Sequence, residues 1–456
     1  MLDNTKFIGF LLQRFADNED KDAIVWHGQI YSYAWLKDKI ETWYEALNSN
    51  DIELGNVVMV EADYSPSSIA LLIALIEYQA IIVPITDSVA HKKDEFIETS
   101  QAEFLIQIAS DDSCNIIRLS QTAQHECFDT LRIGKVPGLI LFSSGSTGKS
   151  KAAVHDLAKL LEKFKVPRHA LRAITFLLYD HIGGVNTLLY TLSNAGCVIS
   201  VEDRKPDTVL AAVDEYQADL LPTSPTFINL ILISEAYKRY QLSSLKTVTY
   251  GTEPMPESTL IRFNALFPHI KLLQTYGLSE LGILRSKSKD NTSLWVKVGG
   301  EGFETRVTDD NILEIKAYSG MLGYLNAPSP YTDDGWFHTG DQVEVDGEYL
   351  RILGRKSEII NVGGQKVYPA EVESVLQQLD CIAESEVYGE KNALVGNVVC
   401  AKLRLNQTHS GMDKKALKRQ IKQHCLQSLE SYQVPAKFKF DESEQFSPRF
   451  KKMRTL

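Results

Sequence analysis

Cysteine is scarce and unpatterned in this chain. The six residues (Cys114, Cys127, Cys197, Cys381, Cys400 and Cys425) form no C-x-x-C pair and no zinc-like spacing. A disulfide scaffold and a structural zinc site are thereby excluded, and reduced, mostly core thiols are expected. Long apolar runs are missing too. The most apolar stretch, 69–85, is interrupted by Glu77, Gln79 and Pro84 and reads as a buried helix followed by a strand, so no membrane span is expected. The first residues lack a signal-peptide pattern, which points to the cytoplasm. Positive charge is in deficit, with 48 Lys and Arg against 59 Asp and Glu and a net charge of -11. Such a field disfavours nucleic acid and anionic membranes as general partners, and an anionic substrate needs a local basic pocket. No internal repeat or low-complexity segment is visible. What remains, 456 residues with 44% apolar and 23% charged side chains, is a soluble globular composition long enough for two or three domains.

One segment carries chemistry on its own. An apolar run, Gly138-Leu139-Ile140-Leu141-Phe142, reads as a buried strand and leads into Ser143-Ser144-Gly145-Ser146-Thr147-Gly148-Lys149-Ser150-Lys151. Backbone free of bulky side chains can turn successive N–H groups toward one anion, and the hydroxyls and ammonium groups add donors. This is a phosphate cradle, with ATP or a similar polyphosphate as the first hypothesis. It is not a Walker A loop, because Ser143 stands where that pattern needs its first glycine. A flexible Gly/Ser loop with solvated lysines is the alternative.

Around the cradle, apolar runs of four to six residues alternate with helical periods. Strands are expected at 24–29, 57–60 and 80–84, and helices from Tyr33 to Leu47 and from Pro66 to Tyr78. This rhythm suggests βαβ units and a parallel sheet. It recurs near 173–178, 196–201, 220–221 and 247–250. Beyond residue 300 the texture turns to short strands punctuated by Gly, Asp and Asn. A compact α+β unit of about 100 residues begins near Gly354-Arg355, with a helix at 370–379, strands near 384–388 and 398–405, and a helix at 414–430.

Four further segments place reactive groups at turns. Gln274-Thr275-Tyr276-Gly277-Leu278-Ser279-Glu280 combines an aromatic face, a hydroxyl and a carboxylate, suited to a base, a phosphate and Mg²⁺. Thr339-Gly340-Asp341 sets a carboxylate past a glycine turn, suited to ribose hydroxyls. Gly354-Arg355-Lys356-Ser357 opens the last unit, and Gly363-Gly364 leads into a helix that starts at Pro369. Singly, each is as well explained by turn chemistry. In this order and spacing they resemble the core motifs of the adenylate-forming superfamily: acyl- and aryl-CoA synthetases, adenylation domains of peptide synthetases, and luciferases. The resemblance covers nearly the whole chain.

The resemblance implies an α/β fold with a large N-terminal domain, 1–354, of parallel and mixed sheets with helices and a small β-subdomain. A small, mobile α+β domain, 355–456, follows. It implies a ligase that joins ATP and a small carboxylic acid into an acyl-AMP, releasing pyrophosphate, then passes the acyl group to a pantetheine thiol. Acyl- or aryl-CoA synthesis is the reading taken, with carrier-protein loading of an acyl or amino acid as the alternative. The implied cofactors are ATP, Mg²⁺, and coenzyme A or carrier-protein phosphopantetheine. The oligomeric state is left open.

Carried over residue by residue, Ser144, Gly145, Ser146, Thr147, Gly148 and Lys151 cradle the pyrophosphate, with Ser150 replacing the family's proline. Gly251 and Glu253 belong to the adenine-pocket strand end. Tyr276 and Gly277 lie against adenine, Ser279 near the α-phosphate, and Glu280 is the Mg²⁺ ligand. Asp341 binds ribose with Arg355 assisting, Ser357 is the hinge, and Gly363 and Gly364 border the thiol channel. The tail pattern selects Lys451 as the catalytic lysine, with Phe450 in place of the family's glycine and Lys452 as the alternate register. The acid pocket is assigned to His181, Gly183 and Thr223. His181-Ile182-Gly183-Gly184 fits acyl and aryl members, and a slip by one residue would make Tyr179-Asp180 an amino-acid signature.

Overall fold

In the computed structural model, residues 6–144, 149–201, 203–392, 394–406, 409, 413–443, 446–447 and 452 are described. Two seven-stranded sheets form the body. In the first, the order is Lys271–Gln274, Thr247–Tyr250, Leu220–Thr223, Arg172–Ile174, Cys197–Ile199, Asp22–Trp26 and Gln29–Ser32. All neighbours are parallel except the closing hairpin of the last two. In the second, the order is Gly323–Tyr324, Ser150–Asp156, Gly138–Ser144, Ile81–Ile85, Val57–Glu61, Phe104–Ile108 and Cys114–Arg118. Its four central strands run parallel and its margins antiparallel.

Strand alternation shows how these sheets stack. Along Val57–Glu61, Val58 and Val60 join a core shared with Ile24 and Val198 of the first sheet and with helices Tyr33–Ser49, Pro66–Glu77 and Ile182–Ser193. Val57 and Met59 point the other way, into a core with Phe96 and Phe128. The outer face of the first sheet is covered by helices Pro206–Glu215, Pro225–Ser234 and Glu257–Leu266. The result is five layers, with both sheets covered on both faces. That is why their strands read as unbroken apolar runs.

A six-stranded antiparallel sheet follows, in the order Ser286–Ser288, Trp295–Val298, Tyr349–Arg355, Phe337–Asp346, Ile312–Ala317 and Phe303–Val307. Tyr349–Arg355 is its last strand in the sequence. After the turn Lys356–Glu358, Ile360–Val362 opens a separate sheet with Gln365–Val367, Gly396–Leu405, Ile382–Asn392 and Lys437–Phe440. Helices Pro369–Leu376 and Lys414–Ser428 complete this smaller unit, which has its own core. Five of the six cysteines are buried and Cys114 is exposed, all as free thiols. Among the described residues, no helix is long and apolar enough to cross a membrane.

The helix Ile182–Ser193 owes its close approach to the sheets to glycine. A Cβ on Gly184 would lie 2.0 Å from Leu178 O and 2.5 Å from the Tyr64 hydroxyl. Backbone cannot yield as a side-chain tip does, so overpacking here is expected to cost about 3 kcal/mol or more. Gly184→Ala should lower the thermal midpoint by several degrees in differential scanning fluorimetry. Gly134→Ala, where the nearest atom would be 3.5 Å away, should leave it unchanged.

Candidate active site

The parallel strands of the first sheet deliver their carboxyl ends to one edge, where open α/β sheets place ligands. Thr223, Tyr250 and Gln274 are register partners on three adjacent strands. The segments that follow them, from Ser224, Gly251 and Thr275, therefore emerge side by side. Gly251 permits this: a Cβ there would meet Thr275 Oγ1 at 2.6 Å and Thr275 O at 2.8 Å.

Tyr276 is buried, and its hydroxyl donates to Asp341 Oδ2 at 2.5 Å. Burial, reinforced by the Asp341 charge, pushes this phenol well above its ordinary range, so it remains a donor. Asp341 is itself buried, and its N–H donates to Thr339 Oγ1 at 3.0 Å. Arg355, its cross-strand partner, brings Nε to 3.5 Å from Oδ1. An aromatic ring, a carboxylate and a guanidinium expected from three separate motifs thus meet in one cluster. Two residues before Tyr276, Gln274 Oε1 is buried with no donor among the described residues.

Gly277–Leu278 and Gly282–Ile283 form a tight antiparallel pair that presents Ser279 and Glu280 at its tip. The Ser279 carbonyl is held by His155 Nε2 at 2.6 Å. His155 is fully buried, and burial lowers its imidazole pKa, so the ring is neutral with its proton on the nitrogen that faces the carbonyl. Glu280 Oε1 accepts the Tyr324 hydroxyl at 2.7 Å, and Lys151 Nζ lies 5.3 Å from the Tyr324 ring centroid. Burial and then the Glu280 charge hold the Tyr324 phenol far above its ordinary range. Tyr324 thereby links the phosphate-loop strand to the Glu280 carboxylate.

Glu280 makes no ion pair among the described residues. A carboxylate with one oxygen fixed by a neutral donor and no cation partner fits a hard metal ion. No group of three or more metal-ligating side chains occurs among the described residues. Mg²⁺ would therefore take one protein carboxylate, with phosphate oxygens and water completing its shell, as is usual for this ion.

The cradle is the connection of an antiparallel hairpin, with Ser144 opposite Ser150. Gly145, Ser146, Thr147 and Gly148 lie outside the described residues, as does the Ser144 side chain. At the base, Lys92 Nζ donates to Ser150 Oγ at 3.0 Å, and Asn326 bonds Ser150 O and Ala152 N. The serine in place of proline thus brings another cation to the loop.

On the acid side, His181 caps helix Ile182–Ser193: its Nδ1 accepts the Gly183 N–H at 3.1 Å. Asp180 is buried and accepts the Thr86 hydroxyl at 3.2 Å. Thr223 Oγ1 and Asn186 Oδ1 are buried with no partner among the described residues. Glu253, assigned to the adenine-pocket strand end, has both carboxylate oxygens engaged within the protein. Oε1 takes the Thr226 N–H at 2.8 Å and the Thr226 hydroxyl at 2.5 Å, and Oε2 takes the Lys452 N–H at 3.0 Å. Ser357 sits in the turn between the third sheet and the last. Gly363 and Gly364 form the turn between Ile360–Val362 and Gln365–Val367, at φ +57° and +90°, where glycine avoids strain. Lys451 lies outside the described residues.

Sequence reasoning missed Tyr324, His155, Gln274 and Lys92. A tyrosine after glycine in a turn-rich region carried no distinguishing signal. Gln274 was within a quoted motif, but its role depends on burial.

Comparison with known proteins places this geometry. The family profile described as AMP-binding enzyme matches residues 11–314, and that of the AMP-binding enzyme C-terminal domain matches 371–445. The chain is 27% identical over 337 residues to a 3-[(3aS,4S,7aS)-7a-methyl-1,5-dioxo-octahydro-1H-inden-4-yl]propanoyl:CoA ligase of Rhodococcus jostii, covering 70% of this chain and 64% of that protein. It is 28% identical over 293 residues to an indoleacetate–CoA ligase of Aromatoleum aromaticum, covering 59% and 57%. The matches thus span less than two thirds of the length of these relatives. In fold, the chain is similar to the anthranilate CoA ligase AuaEII solved with anthranoyl-AMP, with a TM-score of 0.82 at 18% identity over 99% of this chain and 96% of that one.

Proposed function

Because the chain belongs to the AMP-binding enzyme family, we propose that it is an ATP-dependent ligase that makes a thioester of a non-amino carboxylic acid with coenzyme A. The observation that carries this reading is the meeting of Tyr276, Asp341 and Arg355 beside the Lys151–Tyr324–Glu280 chain. In this reading adenine lies on Tyr276, with the free carbonyl oxygen of Gln274 accepting its amino group, and Asp341 takes the ribose hydroxyls. Lys151, with Lys92 at the loop base, offsets phosphate charge. Mg²⁺ on Glu280 would neutralise the phosphates. The acid's carboxylate attacks the α-phosphorus, the bond to the pyrophosphate oxygen breaks, and acyl-AMP forms. The thiolate of coenzyme A then attacks the acyl carbonyl and AMP leaves.

Two features support a non-amino acid. Asp180, which an amino-acid substrate would need at its ammonium, is buried against Thr86. The relatives above are named for arylacetate and ring-bearing propanoate substrates. We further propose that 1–354 carries both substrates and that 355–456 moves on Ser357. Lys451 is the catalytic lysine in this scheme, because the Lys452 ammonium is already engaged by buried Glu373 at 2.7 Å.

The test is carboxylate-dependent exchange of labelled pyrophosphate into ATP across aryl, fatty and amino acids. Exchange with a non-amino acid, and AMP release when coenzyme A is added, are expected. GTP should exchange more slowly than ATP, because its 6-oxo group offers no donor to the Gln274 carbonyl oxygen and requires the carboxamide to turn over. Exchange with amino acids alone, or with none, would overturn the reading; AMP release with a carrier protein but not coenzyme A would overturn the acceptor.

A further inference from the structure

The C-terminal tail makes a junction that the reaction scheme above does not use. Phe446 packs against the core on the outer face of the first sheet, and an antiparallel bridge joins it to Lys452. Lys452 then reaches two carboxylates at once. Its backbone N–H donates to Glu253 Oε2 at 3.0 Å, in the large unit. Its ammonium donates to Glu373 Oε2 at 2.7 Å, on helix Pro369–Leu376 of the small unit.

Both acceptors are fixed in advance. Glu253 holds the first turn of helix Pro225–Ser234 through Thr226, and sits two residues past Gly251 at the nucleotide edge. Glu373 is 1% exposed, and its other oxygen accepts the Val387 N–H at 3.1 Å. The Lys452 side chain is 13% exposed. A buried carboxylate that has an ammonium partner is costly to leave without it. At the hinge itself Arg355 pairs with Asp341 and Lys356 with Asp310. Beyond the hinge, the other side-chain bonds between the two units among the described residues are neutral: Asn229 to Ala383 O, Ser258 to Ser374, and Thr259 to Gln377. Away from the hinge, the charged groups therefore meet at the tail, which ties the nucleotide strand end to the helix after the Gly363-Gly364 turn.

We propose that Lys452 is a positioning residue, a clamp that holds the tail and the small unit against the nucleotide edge for acyl-AMP formation and releases them for thioester formation. The inference rests on the ligase reading above and adds to it a residue next to the catalytic lysine that acts through domain pose. Breaking the pair makes the clamped pose less populated. The half-reaction that needs that pose slows, and the other does not.

The experiment measures both half-reactions in Lys452→Met and Glu373→Gln, with Lys452→Arg as the conservative variant. Pyrophosphate exchange should fall about tenfold or more in the first two, the scale of losing one buried charged hydrogen bond. Acyl transfer to coenzyme A from supplied acyl-AMP should be unchanged or faster, and Lys452→Arg should restore most of the exchange. Glu373→Gln keeps the volume and the Val387 bond, so it remains informative if Lys452→Met folds poorly. Equal losses in both half-reactions, or no loss in either, would overturn the clamp. Absence of exchange in the unmodified protein would instead overturn the ligase reading.

Discussion

Lys451→Ala should lower carboxylate-dependent pyrophosphate exchange by about 10³-fold or more, the scale of removing a preorganised charge from a reacting centre, and leave acyl transfer from supplied acyl-AMP intact. The asymmetry follows from the charges. In the first step an anionic carboxylate approaches an anionic α-phosphate, and a positioned ammonium offsets their repulsion as the pentavalent state forms. In the second step the nucleophile is a thiolate at a carbonyl carbon, and the phosphate is a leaving group that already carries its charge. A lysine that serves only the first pose is silent in the second. The tail offers two adjacent lysines, and the family spacing selects Lys451. Lys452 has its ammonium on Glu373 inside the small unit, which leaves it a positioning role with a smaller effect. The two variants therefore separate by magnitude: a near-complete loss at 451 and a partial one at 452, rescued by arginine. Unchanged exchange in Lys451→Ala would remove the tail from the chemistry.

How far the site was legible depended on whether a residue acts through its type or through its surroundings. Tyr276, Glu280, Asp341 and Arg355 declare themselves, because an aromatic, two carboxylates and a guanidinium at glycine turns have few structural uses in that order. The central strands were equally plain: residues 57–60 and Thr247–Tyr250 are apolar or β-branched and bounded by turns. The hairpin Ile382–Asn392 with Gly396–Leu405 was read shorter than it is. Its first strand carries Glu384, Ser385 and Glu386, which are buried and break the apolar pattern. Glu253 has a role that no motif carries: its carboxylate holds a helix start and the tail, partners 27 and 199 residues away in sequence. Tyr324 and His155 matter through contacts with Glu280, Lys151 and Ser279, far away in the sequence, and no local pattern encodes such contacts.

Glu280→Gln should lower kcat/KM for exchange by about 10²- to 10³-fold and raise the Mg²⁺ concentration needed for half-maximal rate, with no loss of thermal stability. The substitution keeps shape and still offers an oxygen to the Tyr324 hydroxyl, so what it removes is the charge. That charge makes no ion pair among the described residues and meets the Arg355 guanidinium only at longer range, so the fold gains little from it. Removing it should leave the thermal midpoint equal or slightly higher. A stability-neutral variant with a large catalytic loss is the signature of a ligand for an ion rather than a structural acid. Tyr324→Phe tests the other half of the arrangement. Without its hydroxyl, Glu280 loses its fixed orientation but keeps its charge, so a loss of about tenfold is expected. The double variant should be no worse than Glu280→Gln alone, because orienting a group matters only while that group carries charge. Additive losses, or a Mg²⁺ requirement unchanged in Glu280→Gln, would place the metal elsewhere and leave Glu280 with only its contact to Tyr324.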